Sequence, residues 1–148
     1  MPLARALAGV EAAVFGHAPG DDAARALAVH LRLQRLPQGL AADDLAGVPM
    51  NLLARHGLDA AKLQAGEGGA LLRDWARELR ARLPAPPSDA ALFRRLRTRF
   101  DHARLGRIAA GRGFGPPPAP LTVLRAWQVA RTTRHATLRP PAPVPPAP

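Results

Sequence analysis

Cysteine is absent from the 148 residues, which excludes disulfides and thiolate metal sites while leaving the compartment open. Tyrosine is absent as well, Lys62 and Ile108 are the single lysine and isoleucine, and aromatic residues make up only 4%. A core must therefore be built mainly from leucine, alanine and valine. The remaining basic residues are all arginine, a bias that also reads as a high-GC coding sequence. No apolar run approaches the ~20 residues that span a bilayer. Glu11 interrupts the alanine-rich start, which argues against a signal peptide. No stretch alternates with period two for long enough to make a strand, and there is no internal repeat. The five histidines (17, 30, 56, 102 and 135) show no H-E-x-x-H or similar ligand spacing.

What the chain has in excess is positive charge, +10 overall. That makes polyanions candidate partners: nucleic acid, anionic lipid or diphosphate. The bland alternative is arginine-rich solvated helix faces. The densest basic run is Arg94, Arg95, Arg97, Arg99, Arg104, Arg107 and Arg112, with Asp101 the one acid inside it. It is the candidate anion-binding face. Nucleic acid is disfavoured, because no recognised module is present and Phe93 and Phe100 fall on the expected core stripe rather than among the arginines.

Apolar spacing predicts an all-α helical bundle. Leu3, Leu7, Val10 and Val14 form one face of a first helix over 2–15. A second helix runs from Asp22 to Leu36, with Ala24, Leu27 and Leu31 inward and Leu36-Pro37 as its end, because the residue before a proline is driven out of the α region. A short apolar helix begins near Pro49 and stops at Gly57, with Arg55 and His56 in its last turn. Asp59 opens a further turn. Leu71, Leu72, Trp75, Ala76, Leu79 and Leu83 make the cleanest stripe in the chain. Ser88 is the expected N-cap of a long helix to about Ala110, buried through Leu92, Phe93, Leu96, Phe100, Leu105 and Ile108. A last helix, 121–132, presents Val123, Leu124, Trp127 and Ala130 inward. Residues 1–136 are expected to form one domain, and 137–148 a proline-rich disordered tail. None of the histidines has a visible partner, and Asp43-Asp44 reads as a loop or capping pair, with a relocated Mg²⁺ site as the sharper alternative.

Arg35-Leu36-Pro37, the loop after it, and Val48-Pro49 followed by Leu52-Leu53-Ala54-Arg55-His56-Gly57-Leu58-Asp59 resemble the squalene/phytoene synthase family. The likeness is narrower to its degenerate branch, which includes complex I assembly factors and their bacterial relatives. About 130 residues align in order, and only the 35–59 region is specific. The resemblance implies the C-terminal half of an isoprenoid synthase fold, truncated at its start. Family enzymes join two prenyl diphosphates head to head, using aspartate pairs four residues apart that hold Mg²⁺ against the departing diphosphate. With Arg35 laid on the arginine that precedes the second pair, Leu36 and Leu40 stand where the aspartates would be, and leucine cannot bind a hard cation. No D-x-x-x-D occurs upstream either. The family-motif positions are thus Arg35, Leu36, Pro37, Leu40, Pro49, His56 and Gly57, with no catalytic and no metal-binding residue among them.

The resulting expectation is a non-catalytic member that binds a prenyl or lipid ligand or a protein partner. It carries no cofactor of its own and self-associates or joins a partner to cover exposed apolar faces. It is expected in the cytoplasm, with peripheral contact at the inner membrane. The enzymatic alternative is prenyl transfer with Mg²⁺, the missing carboxylates coming from a separate N-terminal half. The third is a basic nucleic-acid-binding module.

Overall fold

The computed structural model describes residues 1–15, 20–41, 48–86, 90–113 and 119–137; side chains at 36–41, 60, 64 and 133–137 lie outside that description. Among the described residues there are seven α-helices and no strand: α1 (Pro2–Phe15), α2 (Asp21–Ala41), α3 (Met50–His56), α4 (Ala60–Gln64), α5 (Gly69–Arg82), α6 (Leu92–Ala109) and α7 (Ala119–Thr137). The protein is an all-α bundle.

Local chemistry sets most boundaries. Pro2 opens α1, where a missing N–H costs nothing. Asp21 and Asp22 occupy the first turn of α2, where carboxylates suit the helix dipole. Gly57, at φ 59°, closes α3 in the left-handed conformation. Its N–H bonds the carbonyl of Ala54 at 3.2 Å, and the N–H of Leu58 reaches back to that of Leu53 at 3.0 Å. This is the Schellman pattern, with Leu58 packing on the core as its apolar contact. Asp59 then caps α4 by accepting from the backbone N–H of Lys62 at 2.9 Å.

Leu33 of α2, Leu52 of α3, Leu71 and Leu79 of α5 and Leu105 of α6 are fully buried and make the centre of the main core, joined by Trp75, Ala76 and Ile108. α5 and α6 pack along each other, α1 lies on α2, and α7 lies on α6.

Four expectations need correction. First, α2 does not end at Leu36-Pro37 but continues to Ala41. Proline within a helix removes one donor and crowds the carbonyl four residues earlier, at a cost of ~3 kcal/mol; the turn before it is anchored by Leu33, which has no exposed surface. Second, α6 begins at Leu92 with Ala91 in the cap position, so Ser88 is not its cap; Ser88 and Asp89 lie outside the described residues.

Third, α1 faces the other way. It buries Ala4, Ala8 and Ala12 against Ala23, Ala24 and Leu27 of α2, while Leu3, Leu7, Val10 and Val14 stand 37–69% exposed. Small side chains let two helix backbones approach closely, and the last turns of α1 are tied to α6 as well by Glu11–Arg97 and by Phe15 stacked on Phe93 at 4.3 Å. Fourth, α7 is likewise inverted: Val123, Leu124, Trp127 and Ala130 are exposed, and Thr122, Arg125, Ala126 and Val129 are the less exposed side.

The α1 inversion makes a sharp prediction. Ala8→Leu should destabilise by about 1–3 kcal/mol through overpacking, whereas Val10→Ser, at a side chain 60% exposed, should stay within roughly 0.5 kcal/mol, as surface changes do. Urea unfolding of the two variants checks this. The reverse order, with the larger loss at Val10→Ser, would mean that the stripe of Leu3, Leu7, Val10 and Val14 is the packed face.

Candidate functional site

α2, α6 and α7 enclose a cleft of about 490 Å³, lined by His30, Gln34, Arg97, Phe100, Asp101, Arg104 and Thr122. Helical spacing assembles it. His30 and Gln34 are four residues apart on α2; Arg97, Asp101 and Arg104 recur at four and three residues on α6, so each set shares a face.

At its centre is an acid–base pair between residues 71 positions apart. The His30 Nδ1 atom lies 3.0 Å from each carboxylate oxygen of Asp101. Asp101 is 5% exposed, and its pairing with His30 is what makes a buried carboxylate tolerable. Because a carboxylate can only accept, the Nδ1 atom is the donor of this bond. The expectation that no histidine has a partner is therefore corrected. His56 Nε2 also lies 3.1 Å from Asp74 Oδ2, close enough for an ion pair when the ring is protonated but without hydrogen-bond geometry. The sequence carried one overlooked signal for the first pair: Asp101 is four and seven residues from the buried Leu105 and Ile108, on the apolar side of α6.

The arginine run does not form one face. Arg97 is committed to Glu11 of α1, with one bond of 3.0 Å and a second shorter one, and its guanidinium lies 5.5 Å from the Phe93 ring centroid. Arg104 reaches Gln34 at 3.5 Å, a weak contact, and its buried Nε has no hydrogen-bond partner. Arg95 donates to Thr132 of α7, and Arg107 to the carbonyl of Arg112. Arg94 is half-buried and Arg99 exposed. Only Arg97 and Arg104 of the seven line the cleft.

Of the motif positions, Arg35 is exposed on α2, Pro49 holds the cap position of α3 at φ −61°, and His56 and Gly57 close that helix. Leu36, Pro37 and Leu40 lie on the last turns of α2, with side chains outside the described residues; Asp43 and Asp44 lie outside them altogether. Among the described residues, no group of three or more histidine, cysteine or acidic side chains could hold a metal ion.

His102, on the α5 side of α6, accepts a hydrogen bond at Nδ1 from Arg80 Nε at 3.1 Å. Burial first, then the charges of Arg80 and Arg99, holds the imidazole below its ordinary value of 6.5. A histidine whose folded value is depressed binds fewer protons folded than unfolded. Its contribution is then complete above the unfolded value and is lost as pH falls through 6.5 toward the folded one. His102→Gln should therefore flatten the decline in stability between about pH 7.5 and pH 5. Thermal unfolding across that range measures it, and an unchanged slope would show that His102 does not couple to folding.

No protein-family model matches this chain, nor does any curated protein or solved structure.

Proposed function

We propose that the protein is a non-catalytic squalene/phytoene-synthase-like helical protein that holds an amphiphile with a phosphorylated head, such as a prenyl diphosphate, in the α2–α6–α7 cleft. The observation that carries this is the placement of Arg104 on the cleft wall, its guanidinium poorly satisfied, next to Phe100 and within one helical face of Arg97. A guanidinium lacking strong partners suits a phosphate oxygen, and Phe100 offers an apolar surface for the chain beyond it. The volume falls within the ordinary range for small-molecule sites. The resemblance over residues 35–59 supports the same ligand class, and Leu36 and Leu40 in the place of the metal-binding carboxylates favour holding over transforming.

Titration with farnesyl diphosphate, followed by calorimetry, should give saturable binding. Arg104→Gln should weaken it by roughly tenfold or more, the scale of one charge-assisted hydrogen bond. Farnesol, which lacks the diphosphate, should bind no better to the wild type than to the variant. Equal affinity for the alcohol and the diphosphate would remove the phosphate from the account.

The enzymatic rival, prenyl transfer completed by carboxylates from another polypeptide, has one observation in its favour: the His30–Asp101 pair puts an acid–base group in the same cleft. Incubation with the diphosphate and Mg²⁺ decides it, since release of inorganic diphosphate is expected only of the enzyme.

A further inference from the structure

α7 is built the wrong way round for a helix whose only task is to cover a core. Val123, Trp127 and Leu124 are 68%, 55% and 48% exposed, while a threonine, an arginine, an alanine and a valine occupy the less exposed side. Single exposed apolar residues are ordinary, but three on one face of one helix are not. Arg131 belongs to the same outward face, its guanidinium 5.3 Å from the Trp127 ring centroid. Charge completes the pattern: residues 102–148 contain seven arginines and no aspartate or glutamate. α1 also exposes an apolar stripe, but its neighbourhood is charge-balanced, with Arg5 facing Asp21 and Arg97 facing Glu11, and so does not specify a partner.

We propose that α7 is a membrane-surface helix, its outward stripe of Val123, Leu124 and Trp127 bedded in the interface of a bilayer that contains anionic phospholipid. Apolar residues enter the acyl boundary, the indole sits at headgroup level, and Arg131, exposed on the same face, meets lipid phosphate. A second copy of the chain fits the face less well, because pairing two such segments brings arginines together with no carboxylate in either to offset them. No helix among the described residues is long and apolar enough to cross a membrane, and α7 lies on its surface. This inference is independent of what the cleft holds.

The full chain is sedimented with vesicles of phosphatidylcholine alone and with about one-third phosphatidylglycerol. Binding is expected to the anionic vesicles only, to be largely lost at about 1 M salt, where the screening length is ~3 Å, and to shift tryptophan emission to the blue. Trp127→Phe should keep binding within a few-fold and lose the shift, since Trp75 is 4% exposed and does not change surroundings. Leu124→Asp should lower partitioning by roughly tenfold or more while leaving thermal unfolding unchanged, as expected of an exposed side chain. Any of four results overturns the proposal: no binding at either composition, equal binding to both, full binding by Leu124→Asp, or light scattering that finds a dimer which Leu124→Asp dissociates.

Discussion

His30→Leu should lower the free energy of unfolding by about 2–4 kcal/mol. The leucine occupies the imidazole's place but cannot hydrogen-bond, so Asp101, 5% exposed, is left as a buried carboxylate without its partner. The figure sits below that of a fully buried pair, because the His30 side chain is 25% exposed and water can reach that end of the cleft. Asp101→Asn should cost less, since the amide oxygen still accepts from Nδ1. The decisive measurement is the double variant His30→Leu/Asp101→Leu. With both polar groups gone and the branched outline of each side chain roughly kept, it should recover much of the loss. A double variant as unstable as the sum of the two singles would show that the residues act independently and that the pair does not organise the cleft.

Leu105→Ala should be as damaging for a different reason. Leu105 has no exposed surface and lies in the cluster with Leu33, Leu71 and Leu79, where α2, α5 and α6 meet. Removing three carbons there loses transfer free energy and leaves a cavity the surrounding helices only partly fill, a loss of about 2–5 kcal/mol. Against a total of about 5–15 kcal/mol, that is a large share. Leu105→Met, which keeps the volume, should cost less than about 1.5 kcal/mol. Denaturant midpoints at constant slope test both. A mild effect of the alanine variant would place the true core elsewhere than between these helices.

The existence of the helices was legible in the chain because apolar residues recur at three and four residues, and the signals at Gly57 and Asp59 are local: a left-handed closure and a side-chain cap. The direction of the stripes was not. Leu3, Leu7, Val10 and Val14 define an angle on α1, but nothing in that angle says whether the buried side is theirs or that of Ala4, Ala8 and Ala12, which only the neighbouring helix decides. Val123, Leu124 and Trp127 pose the same ambiguity on α7. Pro37 misled for a related reason: its local preference is real, but packing around Leu33 outweighs a single missing donor. The cleft was the least legible feature, because its central pair joins residues 71 apart and is visible only once α2 lies against α6.

The alanine seam between α1 and α2 carries a consequence for amide exchange. Three methyl groups remove little apolar surface from water, so α1 is held largely by Phe15 on Phe93 and Glu11 on Arg97. Its amides should trade protons with solvent through a partial opening well below the global barrier, while those of α5 and α6 wait for the whole molecule to come apart.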